Sequence, residues 1–302
     1  MRLRNLCVTA MLVVVWTVLS ASISLAADPS ELIVQVVPRP SASVPIGAQR
    51  VTMLTVRFTA SCKRDAHVTS LIVHHKALGS AGDIERVYAL MGATRKTKSA
   101  PMTGDGTAMI RFRGMTVRAC ATTSVDVLAD FRADAAAAGQ HALTIDTTSD
   151  VDADAPVSIV VNPAGTASIM TPVGKPAGVV TSEPLSIPAL TYGSARTVAR
   201  VRLRADTSDD QAISAITFVN DGTARGDDLQ NILLETSGHT ILSSTVPSLD
   251  ADRVRVVLYP PLILHRNEVR QVQLLADVRA SRRRTVKLQI QEPADIEAAP
   301  AR

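Results

Sequence analysis

Three groups of side chains in this 302-residue chain have types and spacings that could do chemistry. Asp150, Asp152 and Asp154 stand at positions one, three and five of a calcium-loop spacing, where carboxylates converge on one cation. The rest of that loop is missing. Ala155 stands where a glycine makes the sharp turn, and Val161 stands where a glutamate closes the shell. A solvated turn is therefore the expected reading, and Asp209, Asp210, Asp227 and Asp228 read the same way. His74 and His75 are adjacent, so on a regular strand they point to opposite faces and cannot share a metal. His67, His141, His239 and His265 show no ligand spacing. Nucleophile-elbow, phosphate-loop, zinc-protease and dinucleotide motifs are absent from the sequence. The expectation is a non-enzyme with no metal, no cofactor and no small-molecule ligand.

Two further groups bear on structure and binding. Cys62 and Cys120 fall at strand ends, and in an oxidising compartment they are expected to form a disulfide. Two free thiols are the alternative. Arg279, Arg282, Arg283, Arg284 and Lys287 crowd one turn. Such a turn could hold an anionic envelope polymer or lipid headgroup through salt-sensitive contacts. The plain alternative is a solvated hairpin that discourages edge pairing.

The elements that must position these groups come in two copies. Val56, Phe58 and Ala60 return as Val201, Leu203 and Ala205, and Asp83 and Val87 return as Asp228 and Ile232, each 145 positions on. Leu128, Ala129 and Asp130 return as Leu275, Ala276 and Asp277, now 147 on, and His141 and Ile145 return as Val286 and Ile290 at 145 again. A self-match this long means one module used twice, with a small insertion in the second copy. The turn at residues 132–140 is mostly Ala, whereas its counterpart is the polybasic one. Cys62 and Cys120 have Thr207 and Asn267 as counterparts.

Each copy reads as β. Leu54, Val56, Phe58 and Ala60 alternate with polar neighbours, as do Val125, Val127, Ala129 and Phe131. Strict alternation puts one face on a core and the other in water. About seven such runs fit each copy, separated by Gly, Asp, Ser, Asn and Pro clusters, which argues a β-sandwich. The alanines at 133–138 are expected to make a turn or one helical turn. The expected fold is all-β: two tandem antiparallel immunoglobulin-like sandwiches over residues 28–165 and 166–302. Residues 157–161 are expected to be the last strand or edge of the first, and the Pro/Gly-rich residues 171–188 lead into the second.

Residues 1–26 read as a signal peptide. Arg2 and Arg4 form the basic start, residues 8–19 are apolar but for Thr9 and Thr17, and Ser24 and Ala26 flank a small-x-small cleavage site. The apolar stretch is short for a membrane span of ~20 residues, so an uncleaved anchor is the lesser alternative. No transmembrane segment is expected in the mature chain. Losing Arg2 and Arg4 from 32 basic and 28 acidic side chains leaves 30 against 28, too balanced for generic nucleic-acid binding. The single Trp leaves with the signal, so few aromatics remain to stack sugars or bases.

The strand at residues 51–60, the run at 68–73, the segments at 83–88 and 226–233, and the closing runs at 125–131 and 141–145 together resemble the N-terminal β-sandwich domain of BNR-repeat neuraminidases. The propeller and its Asp-box are absent. The resemblance implies an accessory module rather than a glycosidase, and immunoglobulin-like surface repeats share much of the pattern. The expected function is a secreted, non-catalytic protein in adhesion, envelope structure or partner binding, at the periplasm or cell surface. A protein or an envelope polymer is the expected partner. A glycan- or anionic-polymer-binding accessory protein is the rival.

Overall fold

A computed structural model describes residues 31–160, 168–280 and 283–301. The apolar leader with its cleavage site, the expected boundary near residues 162–165, and Arg282 lie outside the described residues.

The chain is all-β, with four three-residue 3-10 turns as its only helical elements among the described residues. In the N-terminal half, Val51–Ala60 lies between Leu32–Pro38 and Thr122–Phe131, and Ile84–Met91 extends the sheet. A second sheet centres on Ala66–Lys76, flanked by Thr107–Val117 on one side and by Ala142–Thr144 and Val151–Ala153 on the other. The alternation puts Val56, Phe58 and Val127 of one sheet against Leu71, Val73 and Ile110 of the other in one core. The C-terminal half repeats this layout. Gly193–Ala205 lies between Val180–Leu185 and Val269–Val278, and Gln211–Asn220 is the centre of the facing sheet. Leu203, Phe218, Val256 and Leu274 fill its separate core.

Register confirms the equivalence residue by residue. Leu71 faces Ile110 as Ile216 faces Val256, and Ala66 faces Val117 as Gln211 faces Leu264. One inserted residue therefore falls inside the second strand of that pair. Pro260 and Pro261 stand where the first copy has Gly114 alone, at a φ of 66°. The alanine-rich run at 133–138 makes turns, not a helix.

Residues 171–188 are not a loose lead-in. Met170–Pro176 runs parallel to Ala42–Ile46, and Val180–Leu185 pairs with Gly193–Ala205. Pro184 is tolerated because Val180–Leu185 is an outer strand, where a missing N–H costs no ladder bond on the open side. Val157–Val160 is an edge as expected, but it pairs in parallel with Leu32–Pro38. The division between residues 165 and 166 falls outside the described residues. The strand that follows it belongs with the first core, since Met170 is buried there.

Asp150 is a correction. It is buried rather than solvated. Its Oδ2 accepts the backbone N–H groups of Asp146 (2.9 Å) and Thr147 (2.8 Å), closing the 3-10 turn Thr148–Asp150. Its repeat partner Asp295 does the same for Gln291 (3.1 Å) and Glu292 (3.0 Å). A carboxylate satisfying two otherwise orphaned donors explains why aspartate stands at both positions.

Candidate functional site

The most elaborate polar arrangement joins the two halves. Arg95 sits on the two-residue strand Thr94–Arg95 at the edge of the first large sheet, with its side chain 2% exposed. Its guanidinium reaches across to the turn Pro293–Asp295. Nη1 pairs with Glu292, and Nη2 lies 3.0 Å from Asp295 Oδ1. The Ser99 N–H also donates to Glu292 Oε2 at 3.2 Å. Arg50 Nη1 donates to the Ala294 carbonyl at 2.7 Å, and its Nη2 lies 3.4 Å from Glu297, which Arg255 holds through two 2.7 Å bonds. Beneath them Tyr88, Leu90, Leu128 and Ala294 form a small apolar cluster of their own. The Tyr88 hydroxyl donates to Asp130 at 3.0 Å, and Arg95 stacks over the Tyr88 ring at 5.8 Å. Lys96–Asp250 and Arg113–Asp252, each 3.3 Å apart, close the rim.

Burial pushes the Asp295 and Asp130 carboxyls up from the usual range. Burial also acts on Glu292, but hydrogen bonding to Ser99 and the charge of Arg95 outweigh it and hold that carboxyl below the usual range. Asp295 Oδ1 and Arg95 Nη2 meet outside hydrogen-bonding geometry, so the attraction there is that of close charges. Sequence reasoning missed this junction. Arg95 lies 197 residues from Glu292, and the three side chains carry no local pattern. The available signal was the repeat: aspartate at 150 and 295 marked a shared role.

The histidines assemble differently from a metal site. His74 Nε2 bonds Asp150 Oδ1 at 3.0 Å. His75 Nε2 lies 3.1 Å from Nδ1 of His141, which is fully buried, and His141 Nε2 lies 3.5 Å from Asp83. The neighbours thus reach different partners, as opposite faces require. Burial lowers the pKa of both His75 and His141. A Cβ on Gly79 or Gly139 would collide with the His141 ring, so both glycines make room for it. Among the described residues no group of three His, Cys, Asp or Glu side chains is placed to hold a metal.

Cys62 and Cys120 are bonded, with Cα atoms 4.2 Å apart. They tie the end of Val51–Ala60 to the start of Thr122–Phe131. The uncrosslinked second copy keeps the same backbone. Cys120 N–H donates to Ser61 O as Asn267 N–H donates to Asp206 O, and both residues have φ near 60° (60° and 61°).

The polybasic turn is partly neutralised. Arg284 pairs with Asp228, and Lys287 Nζ lies 3.0 Å from Asp221. Arg279 and Arg283 are exposed and have no ion pair among the described residues. Beside the turn lies a groove of about 320 Å³ lined by Leu190, Tyr192, Val278, Ala280, Arg284 and Val286. Leu190 and Tyr192 are partly exposed there.

No protein-family model matches the chain, and no curated protein matches it. Among solved structures the chain is similar to red sea bream transglutaminase, at 14% identity and a TM-score of 0.22 over 82% of this chain and 29% of that one. It is similar to a Corynebacterium diphtheriae protein described as membrane-anchored, at 12% identity and a TM-score of 0.20 over 89% of this chain and 59% of that one. It is also similar to a fucolectin from striped bass serum, at 10% identity and a TM-score of 0.19 over 76% and 85%. The chain thus spans less than two thirds of the first two. None of the three is a neuraminidase, and the likeness to neuraminidase modules remains a resemblance.

Proposed function

We propose that this is a secreted, non-catalytic protein of two tandem β-sandwich modules that serves adhesion, envelope structure or partner binding at a bacterial periplasm or cell surface. The buried Arg95 junction carries the reading. Two separate cores are joined by charges taken out of water, an arrangement suited to a scaffold that presents its outer surfaces. The Cys62–Cys120 bond adds support, since such bonds persist in oxidising compartments. No helix among the described residues is long and apolar enough to cross a membrane. Intact mass of the protein from cell fractions tests the placement. The expected species is exported, begins at Ala27 and has no alkylatable thiol before reduction. A cytoplasmic species beginning at Met1 with reactive thiols overturns it.

The exposed Arg279 and Arg283 favour a second reading, an anchor for an anionic envelope polymer or lipid headgroup. Replacing Arg282, Arg283 and Arg284 with Ser should abolish retention on heparin or anionic liposomes at low salt. The melting point should barely move, because the exposed Arg284–Asp228 pair is worth under about 1 kcal/mol. Equal retention by the wild type and the triple variant leaves only a solvated turn, which here links the two facing sheets rather than closing a hairpin.

A further inference from the structure

In the N-terminal half, Met170–Pro176 fills a seat between two walls. On one side it runs parallel to Ala42–Ile46, with Pro172 opposite Val44. On the other, Met170 and His141 exchange backbone hydrogen bonds at 2.8 and 2.9 Å, and the Ala138 N–H donates to the Pro172 carbonyl at 2.8 Å. The Met170 side chain drops into the first core.

The repeat carries both walls into the C-terminal half. Phe131 N–H donates to Ala48 O, and their counterparts Val278 and Gly193 pair. Gly79 N–H donates to Gln140 O as Ala224 N–H donates to Thr285 O. Residues 45–47 therefore correspond to 190–192, and residues 139–141 to 284–286. Between those second walls lies the groove of about 320 Å³. Among the described residues no strand lies in it, and Val286 has no backbone partner in the place of Met170. Residues 187–191, the counterparts of Ala42–Ile46, form no strand there. That wall is ordered into a strand where its neighbour is present and is not where it is absent.

The walls differ in charge. The first seat is bounded by Ala138, Gly139 and Gln140; the second by their counterparts Arg283, Arg284 and Thr285. We infer that the groove between residues 190–192 and 284–286 accepts an extended, acidic segment of a partner protein. The segment would pair with the Val286 backbone, as Met170 pairs with His141, and drop an aliphatic anchor over Val278 and Ala280. Its acidic side chains would face Arg283 and Arg284. The inference rests on the second reading above only for the charge of the occupant.

The full mature protein, titrated with labelled synthetic peptides, tests this. One peptide has the sequence of residues 168–177, the strand that fills the first seat. The other carries Thr171→Glu and Val173→Glu. The acidic peptide should bind ~10-fold tighter at low salt, and the difference should collapse at high salt. Replacing Leu190 and Tyr192 with Ser removes the apolar wall without adding charge. That variant should bind the acidic peptide ~10-fold more weakly while melting as the wild type and staying on heparin. Equal binding of the two peptides, or unchanged binding by the Leu190→Ser, Tyr192→Ser variant, overturns the inference. So does self-association of the protein that this variant abolishes, since the occupant would then be a second copy. Equal heparin retention by the wild type and the arginine variant, with the wild type still preferring the acidic peptide, sinks only the anionic-polymer reading.

Discussion

Arg95→Ala should be among the most damaging single substitutions in the chain. It removes the one guanidinium that faces both Glu292 and Asp295, whose side chains are 15% and 1% exposed. Removing one partner of a buried ion pair strands the other charge, at a cost of about 3–5 kcal/mol. At ~2–4 °C per kcal/mol for a chain of this size, the melting point of the protein should fall on the order of 10 °C. The loss should depend on pH. With Arg95 gone, the Asp295 carboxyl, already raised by burial, rises further. A raised carboxyl penalises the folded state at neutral pH and is relieved as pH falls through its folded value. Glu292, now held below the usual range, loses that support. Its contribution is present above the ordinary carboxylate value and disappears as pH falls through the depressed one. Both effects make the gap between wild type and variant largest near neutrality and smaller toward about pH 4. Melting curves at several pH values read this directly. Adding Glu292→Gln and Asp295→Asn to Arg95→Ala should recover part of the loss, because neither carboxylate is then left stranded, while buried Arg253 keeps Asp252 but loses Asp295. A pH-independent gap, or no recovery in the triple variant, would mean that the lost packing over Tyr88 outweighs the charges.

The junction shows where sequence reading stops. The strands were legible because period-two alternation is local, and Leu54, Val56, Phe58 and Ala60 show it within seven residues. The pairing of copies was legible because 145-residue spacing recurs across the whole chain. What a strand does beyond its own sheet is not encoded locally. Met170–Pro176 contains two prolines and a glycine, so it reads as a linker, yet it is a strand because Ala42–Ile46 and His141 supply its partners. Arg95 reads as one cation in a basic run with Lys96 and Lys98, a composition that suggests a solvated turn. Only the approach of the second half buries it.

The candidate sites divide along the same line. The disulfide was legible from compartment logic and strand-end placement, both properties of the sequence. The polybasic turn was legible as composition, but its partial neutralisation was not, because Asp228 and Asp221 arrive from the connection between Gln211–Asn220 and Leu229–Thr236. Asp150 was misread because three acids in five residues look solvated. The turn Thr148–Asp150 instead points one of them inward, where backbone N–H groups and His74 satisfy it. The His75–His141 contact was invisible for a related reason. His141 belongs to no ligand spacing, and its ring is buried only because Gly79 and Gly139 leave room for it.

Breaking the Cys62–Cys120 bond should cost the first half about 2–4 kcal/mol, since it closes a loop across a sequence separation of 58. The second half should not respond to reductant, because Thr207 and Asn267 stand in the equivalent places. The choice of substitution matters. Cys120 has a φ of 60°, a left-handed conformation that asparagine tolerates better than alanine. The second copy has already made that replacement at Asn267, with a φ of 61° and the same backbone hydrogen bond. Cys62→Thr with Cys120→Asn should therefore lose the cross-link alone and match reduced wild type in a denaturant titration. Cys62→Ala with Cys120→Ala should fall below the Thr/Asn pair by up to about 1 kcal/mol, because alanine lacks asparagine's local tolerance of the left-handed region. Equal stability of the two double variants would show that the turn relaxes to another conformation once the bond is gone. A second half that also loosens on reduction would show that the Arg95 junction transmits the first half's stability to the second.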